Sequence, residues 1–299
     1  MGRRGRWLAM AVAVLVAGAG LWAVRGPASA STPAAKEVPA ASGTTSPTPA
    51  QASTKAPTEA PPETPQPVAP APAPPDLVTP ALDAALAGFE GTLSLAVVDH
   101  VRGTTTLYHA DDTFRTASIV KVAILAELLD REPELSDDDR ALAYQMITVS
   151  DNDAATDLWD AIDGATGLTD LVDRLGLAHT VPGEDGAWGV TTTTAADQVR
   201  LLDAVTGPGL LATLMSEVTA DQRWGVTAAA RPGESVLVKN GWMNWDDVDG
   251  TWSVNSIGRI TGPGVDVTIA VLSTGATTEE RGIAAVEAVA VAARAAGGW

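Results

Sequence analysis

Apolar residues along this chain follow two different spacings, and the changes between them predict the order of helices and strands. Alternating or continuous apolar runs predict strands at residues 91–98, 104–108, 235–242, 252–260 and 265–272. Helical spacing predicts helices at residues 78–89, 118–129, 137–147, 154–162, 168–175, 195–205, 208–218 and 278–296. Because strands lie towards both ends and helices in the middle, we expect an α/β protein of the α+β type, an antiparallel sheet carrying a helical insertion.

The first 30 residues have the pattern of an export signal. Three arginines within the first six residues precede an uncharged, mostly apolar run over residues 7–24, and Ala28-Ser29-Ala30 follows as a small-residue cleavage site. We therefore expect residues 1–30 to be a secretory signal peptide, and the two adjacent arginines also permit twin-arginine export. The alternative is an uncleaved N-terminal anchor, which the shortness of the apolar run disfavours.

Residues 31–75 are predicted to be a disordered linker rich in Pro, Ala and Thr. The segment has no aromatic residue and no periodic apolar face, so it cannot bury enough surface to offset the entropy lost on ordering. In an extended polyproline conformation, at about 3.1 Å per residue, it would reach roughly 140 Å. The chain is therefore expected to be secreted or extracytoplasmic, with contact to a membrane or cell wall only through its N-terminal segments.

The remaining residues, 76–299, form the predicted folded domain, which is strongly acidic. Its formal charge is −21, which repels phosphate backbones and argues against a nucleic-acid partner. The chain has no cysteine, which excludes disulfides, thiol catalysis and a lipid-modified cysteine, and its three histidines have no metal-like spacing. We expect a monomer without a metal or cofactor, acting on a small molecule.

A hydroxyl and an amine share one face of a predicted helix. Ser118 precedes Lys121 by three residues in Thr116-Ala-Ser-Ile-Val-Lys, and residues i and i+3 of a helix are neighbours. The positive end of the helix dipole favours negative charge on the serine oxygen and disfavours charge on the lysine. This pair is a candidate nucleophile with its base.

Two further groups have the chemistry to assist this pair. Ser150-Asp151-Asn152 lies at a predicted helix start and supplies a second hydroxyl and a carboxamide. Lys239, the only other lysine of the domain, ends a strand and precedes Asn240-Gly241. Each group alone is an ordinary cap or turn, but the three in this order match a known set of motifs for acyl transfer through a serine ester.

With these motifs the domain resembles the penicillin-recognising serine enzymes, and most closely the class A β-lactamases. The resemblance covers residues 76–299 and includes the run Thr191–Thr194 before a helix and the closing strands and helix. It implies an antiparallel sheet flanked by terminal helices, an all-helical subdomain, and an active site in the groove between them.

The resemblance also implies roles for individual residues. Ser118 would be the nucleophile, Lys121 its proton acceptor, and Ser150 a proton shuttle to the departing amine. Lys239 would support Ser150 electrostatically and attract a substrate carboxylate. Substrate binding would fall to Asn152, which holds a side-chain amide, to Asn240 and Gly241 beside the lysine, and to Trp242, whose N–H would join that of Ser118 in an oxyanion hole.

Three differences from class A enzymes limit the resemblance, and the first concerns the step that clears the ester. Their Glu-x-x-Leu-Asn motif is missing from the loop before the threonine run, where Glu184 or Asp185 could act in place of its glutamate; the alternative is that both are solvated loop charges. Asn240 stands where the family has Thr or Ser, and the interval from Lys121 to Ser150 is short. Acylation is therefore better supported than deacylation.

These observations favour β-lactam amide hydrolysis through an acyl-serine intermediate. One alternative is a peptidoglycan D-Ala-D-Ala carboxypeptidase, or another serine hydrolase with poor β-lactam turnover, which the missing glutamate motif favours. The other is a catalytically silent cell-wall binding module. Arg259, late in a strand, is interpreted as a surface ion pair in preference to a ligand for a substrate carboxylate.

Overall fold

A computed structural model describes residues 78–183, 186–245 and 250–299, all of which lie in the compact unit Pro70–Trp299. The predicted signal peptide or anchor and the linker, residues 1–75, lie outside the described residues, and so does Glu184. Within the described part of the chain, no helix combines the length and apolar character needed to cross a membrane.

A five-stranded antiparallel sheet forms the centre of the unit. Its strands are β1 Thr92–Asp99, β2 Thr104–Tyr108, β5 Ser235–Trp245, β6 Thr251–Gly262 and β7 Val265–Thr274. Across the sheet they follow the order β2-β1-β7-β6-β5. All five match strands predicted from the apolar pattern. The last three together form one continuous antiparallel meander, which places β5 at an edge of the sheet.

Eight α-helices among the described residues complete the α+β fold. They are α1 Val78–Ala85, α2 Val120–Arg131, α3 Asp137–Thr148, α4 Asn152–Ala161, α5 Ala165–Leu175, α6 Ala195–Val205, α7 Leu210–Ser216 and α8 Glu279–Gly297. Polar caps define several of their starts, since Ser136, Asp151, Thr194 and Thr278 each accept a hydrogen bond from a backbone N–H three residues on. The predicted fold class is confirmed.

The two faces of the sheet carry two separate apolar cores. On β1, Leu93, Leu95 and Val97 pack with residues of α1 and α8, whereas Ala96 between them packs with the helices of the insertion. This alternation is the period-two geometry of a strand. Terminal helices therefore cover one face of the sheet, and the helical subdomain α2–α7 lies against the other.

A short ribbon that the apolar pattern does not predict joins the two regions next to the candidate nucleophile. Strand β3 (Phe114–Arg115) pairs with β4 (Thr192–Thr193), and Thr116 N donates to Thr191 O at 2.8 Å. Two-residue strands carry no detectable periodicity, which is why they escape sequence analysis. The ribbon fixes the chain immediately before Ser118.

A buried ion pair anchors the last helix beside the start of β5. Arg294 on α8 forms a two-pronged pair with Glu234, with Nη1 and Nη2 lying 2.6 and 2.7 Å from the two carboxylate oxygens. Arg294 also donates to the carbonyl of Ala229 at 2.8 Å. The hydrogen bonds from Arg294 hold the pKa of Glu234 below its ordinary value, although burial opposes this.

Replacement of Arg294 should test this anchor. We expect Arg294→Met to lose about 3 kcal/mol of unfolding free energy at pH 7, because it leaves a buried carboxylate unpaired. Since the folded pKa of Glu234 is lowered, the contribution of the pair is complete above the ordinary pKa and is lost as the pH falls through the folded value. Urea unfolding at pH 7 and pH 3 should therefore show a large deficit that narrows in acid. The exposed Arg281→Met serves as control, and an equal deficit in both variants would contradict the account.

Candidate active site

Ser118 lies in a single 3-10 turn, Ala117–Ile119, that runs directly into α2. Ala117 just before it has φ +46°, in the left-handed region that residues with a β-carbon seldom occupy. The serine is half-buried, and its Oγ makes no hydrogen bond to any other described residue. The turn therefore presents an unengaged hydroxyl at the start of a helix, where the dipole favours a developing negative charge.

Lys121 lies one turn further along and is completely buried. Its Nζ donates to the carbonyl of Ser150 and to Asn152 Oδ1, both at 2.7 Å, and contacts Ser150 Oγ at 3.3 Å. Burial lowers the pKa of Lys121 to about 7, although the negative charge of Asp151 opposes the shift. At neutral pH a large fraction of this amine is thus unprotonated and able to accept a proton.

Ser150 joins the two lysines of the domain. Lys239 Nζ donates to Ser150 Oγ at 2.9 Å and to the carbonyl of Asn240 at 2.8 Å. Ser150 itself is held at φ +60°, a strained conformation that turns its hydroxyl towards both amines. An oxygen that accepts on both lone pairs still has its own proton to donate. The arrangement is suited to passing a proton from the amines to a departing group.

The proximity of two amines also sets their charge. Burial, with the charge of Lys121 as a smaller cause, places the pKa of Lys239 well below its ordinary value. Two ammonium groups hydrogen-bonded to one hydroxyl would repel each other without water to screen them. The titrations of the two amines are therefore coupled, since protonation of one opposes protonation of the other.

Gly241 allows β5 to pack directly against the 3-10 turn Ala117–Ile119, which carries Ser118. A β-carbon at this position would lie 2.6 Å from Ser118 N, 2.7 Å from Ile119 N and 2.8 Å from Thr116 O. All three are backbone atoms, so only glycine permits the contact. It places the main chain of β5, which continues into Trp242, beside the backbone N–H of Ser118.

Asn240 is not among the residues that line the pocket. It is 1% exposed, and its Nδ2 donates to the carbonyls of Gln222 at 2.8 Å and Trp224 at 3.2 Å. The pleat of β5 explains this placement, because Lys239 and Asn240 are consecutive and must face opposite sides of the sheet. Asn240 thus links β5 to the segment that carries Gln222.

Ser118, Ser150, Asn152 and Trp242 all line one pocket of about 240 Å³. Lys121 and Lys239 lie beneath its floor, so the structure brings together six of the sequence-predicted site residues, and Gly241 supports them. Five of the nine lining residues were not predicted as site residues, and two of these, Trp188 and Gln222, bring an aromatic ring and an amide to the pocket. Neither belongs to a recognisable motif, and an isolated Trp or Gln in a loop gives no signal of its own.

Trp188 covers Lys121 from the side of the loop before the threonine run. Lys121 Nζ lies 4.9 Å from the centre of the indole ring, and Trp188 Nε1 donates to Thr156 Oγ1 at 3.3 Å. Among the described residues, no carboxylate makes a hydrogen bond to Lys121 Nζ or Ser118 Oγ. The described part of this loop therefore places an apolar ring next to the amine of Lys121.

Arg259, which sequence analysis interprets as an ion pair, does not reach the pocket. Its guanidinium forms a two-pronged pair with Asp266 at 2.7 and 2.8 Å and contacts Thr206. No cluster of His, Asp or Glu side chains suited to holding a metal ion occurs among the described residues.

Comparison with known proteins agrees with this geometry. Residues 77–136 and 138–296 match the model of the beta-lactamase enzyme family. A protein of Mycobacterium tuberculosis provisionally named lipoprotein LppW is 31% identical over 176 residues, which are 52% of this chain and 56% of that protein. The chain thus spans about half the length of the curated relatives it matches.

Two solved structures share the fold at low sequence identity. The class A beta-lactamase from Mycobacterium abscessus superposes with a TM-score of 0.63 at 23% identity, covering 74% of this chain and 100% of that one. A mutant of PBP-A, solved as an acyl-enzyme complex with penicillin G, has a TM-score of 0.63 at 18% identity, covering 75% and 97%.

Substitution of Gly241 should separate the site from the rest of the fold. In Gly241→Ala the new methyl group meets backbone on three sides, so β5 must shift away from Ser118. We expect the acylation rate of Ser118 to fall about 100-fold, because small displacements of reacting groups are costly. Gly207→Ala, where a β-carbon meets nothing within 4 Å, is the matched control. Equal rates for both variants and the unaltered protein would contradict the assignment.

The pH dependence of acylation should follow the charge of the buried amine. If the neutral form of Lys121 accepts the serine proton, the second-order rate constant for labelling of Ser118 by penicillin G is expected to rise between pH 5 and pH 8. Its midpoint should lie at about 7. Lys121→Met should remove this dependence together with most of the rate. A rate that is flat across this range in the unaltered protein would exclude Lys121 as the base.

Proposed function

Since the chain belongs to the beta-lactamase enzyme family, we propose that it is a serine hydrolase that opens β-lactam amides through an acyl-Ser118 ester. The observation that carries the proposal is Ser150 Oγ, held between two buried amines beside the unengaged hydroxyl of Ser118. Burying two lysines costs free energy. Buried amines with strongly lowered pKa values are typical of functional sites.

Acylation can be written through these groups. Lys121 removes the proton of Ser118 as Oγ bonds to the carbonyl carbon, and the backbone N–H groups of Ser118 and Trp242 stabilise the resulting oxyanion. When the carbon–nitrogen bond breaks, Ser150 gives its proton to the departing nitrogen. Ser150 is reprotonated by the amines that contact it, which restores the neutral lysine and leaves the acyl ester on Ser118.

Deacylation has weaker support from the described residues. A water must be activated for the ester to clear, and the side of Lys121 that faces the loop is covered by the ring of Trp188. An indole cannot deprotonate water, and the N–H of this one donates to Thr156 Oγ1. We therefore propose slow hydrolysis of the ester. Glu184, predicted as the catalytic carboxylate, stays a prediction because it lies outside the described residues.

The position of Trp188 over Lys121 also favours a second candidate function. A peptidoglycan D-Ala-D-Ala carboxypeptidase, or another serine hydrolase with poor β-lactam turnover, needs a competent acylation site and releases β-lactams slowly. Trp188 over the base fits that behaviour. The two functions share Ser118, Lys121, Ser150 and Lys239 and differ in how long a β-lactam ester survives.

An exported location completes the proposal. The first 30 residues have the pattern of a signal peptide, and residues 31–75 would serve as a tether between the membrane or wall and the enzyme. A relative is named as a lipoprotein. This chain contains no cysteine, so any attachment would depend on the N-terminal segment itself.

Intact-mass measurement with penicillin G tests the proposed function. We expect the protein to gain the mass of one penicillin, on Ser118, and Ser118→Ala to gain none. We also expect the adduct to persist for minutes, with a stoichiometric burst and a slow steady state on a chromogenic cephalosporin. Rapid turnover without an adduct would contradict slow deacylation. Complete absence of both labelling and turnover would favour the catalytically silent binding module.

A further inference from the structure

A buried asparagine on β6 contacts the chain directly before the 3-10 turn that carries Ser118. Asn255 is fully buried, and it faces Gly241 across the β5–β6 pair, so both residues lie on the side of the sheet that meets this turn. Its Nδ2 donates to the carbonyls of Arg115 at 2.9 Å and Thr116 at 3.1 Å. Gly241 thus makes room for the turn, and Asn255 binds the segment that leads into it.

The pairing of β6 with β7 is interrupted at the position of this asparagine. The paired register ends at Ser256 and Val271, and pairing resumes only at the isolated bridge between Trp252 and Ala276. Three residues of β6 lie between these two pairs, whereas four residues of the facing chain do. The facing chain therefore carries one extra residue, which is a β-bulge. Bulges redirect side chains and are frequent beside active sites.

Side chains connect the two strands within the bulge. Ser273 N donates to Asn255 Oδ1 at 3.1 Å, and Ser273 Oγ donates to the carbonyl of Val254 at 2.6 Å. Because a backbone N–H needs an acceptor, the amide oxygen of Asn255 must face β7, and both amide hydrogens are left for the two carbonyls. The bulge therefore fixes the direction in which Asn255 donates.

The contact restrains the peptide unit between Thr116 and Ala117. Thr116 has φ −71° and ψ −33°, whereas Ala117 has φ +46°. Rotation of a peptide plane changes ψ of the residue before it and φ of the residue after it, so a half-turn would carry Ala117 out of the left-handed region. The same rotation would turn the carbonyl of Thr116 away from Asn255 and break their hydrogen bond. Asn255 therefore opposes the relaxation that the strain at Ala117 favours.

We propose that Asn255 is a positioning residue for acylation, which holds the Thr116–Ala117 peptide so that the N–H of Ser118 points towards the oxyanion. The inference rests on the proposed acyl-Ser118 chemistry. Asn255 is buried away from the pocket and acts only through the backbone. The N–H of Ser118 belongs to the next peptide along the chain, so a rotation at Ala117 would misdirect it. A misdirected donor no longer stabilises the charge that develops as Ser118 Oγ bonds to the carbonyl carbon.

Saturation kinetics of Ser118 labelling by penicillin G test the proposal on the full chain, because they separate binding from acylation. Asn255→Leu keeps the approximate size of the side chain and removes its hydrogen bonds. We expect its limiting acylation rate to fall about 100-fold, the scale of losing one oxyanion donor, while the half-saturating penicillin concentration stays within about threefold. A fall of less than about tenfold, or a loss that comes from weaker binding instead, would overturn the proposal.

Ser273→Ala is the matched control within the same bulge. It removes one buried hydrogen bond, from Ser273 Oγ to the carbonyl of Val254, and leaves every contact of Asn255 in place. We expect both variants to lower the urea midpoint of unfolding, and only Asn255→Leu to slow acylation by more than about twofold. Equal acylation losses in the two variants would assign the effect to a loosened sheet and would contradict the proposal.

Ala117→Gly tests whether Asn255 acts through the strained residue. Glycine occupies the left-handed region without the clash of a β-carbon. Relative to Ala117→Gly alone, the addition of Asn255→Leu should therefore slow acylation only about fivefold, against about 100-fold in the unaltered background. Equal factors in both backgrounds would exclude a role through the Thr116–Ala117 peptide.

Asn255→Asp decides the question if Asn255→Leu does not fold. It keeps the shape of the side chain and the acceptor for Ser273 N, and it replaces the amide donors with an oxygen that faces the carbonyls of Arg115 and Thr116. We expect acylation at pH 8 to be at least about tenfold slower than in the unaltered protein, and equal rates would reject this inference alone. If penicillin G does not label Ser118 in the unaltered protein, the proposed function fails and the inference fails with it.

Discussion

The cost of burying charge governs this structure. Two lysine amines lie beneath one pocket, both in contact with the hydroxyl of Ser150, and the interior cannot hold two ammonium groups at that separation. The fold resolves the conflict by lowering the pKa of both amines and giving each of them hydrogen-bond acceptors. A neutral buried amine is a base at physiological pH, so the same constraint that threatens stability supplies the chemistry.

Three chain segments must meet to form this site, and each has an unfavourable backbone conformation or lacks a side chain where they meet. In the turn that carries Ser118, Ala117 has a left-handed backbone conformation, and in the loop before α4, Ser150 has a left-handed conformation too. Strand β5 gives up a side chain at Gly241 to reach the turn. Two of the four described non-glycine residues with positive φ thus lie at this site, and such strain is typical of a site maintained by the surrounding packing.

The reactive residues of the site were predictable from the sequence, whereas the residues that surround them in the pocket were less so. Ser118 and Lys121 are three residues apart on one helix, so their proximity follows from helical geometry alone. Lys239 was found because lysine is rare in the domain. The pleat of β5 separates Asn240 from the pocket, a consequence of strand parity that motif matching overlooked. Trp188 and Gln222 lie in single 3-10 turns, which are too short to show a periodicity, and their placement depends on contacts from distant parts of the chain.

Direct titration of the lysines tests the central claim that burial lowers the pKa of Lys121 and Lys239. The chain contains four lysines, of which only Lys121 and Lys239 lie in the domain, so a spectrum of carbon-13-labelled lysine side chains is simple to assign with single Lys→Met variants. We expect the Lys121 resonance to titrate at about pH 7 and the Lys239 resonance to titrate well below the ordinary lysine value. Titration of all four lysines together near the ordinary value would contradict the account.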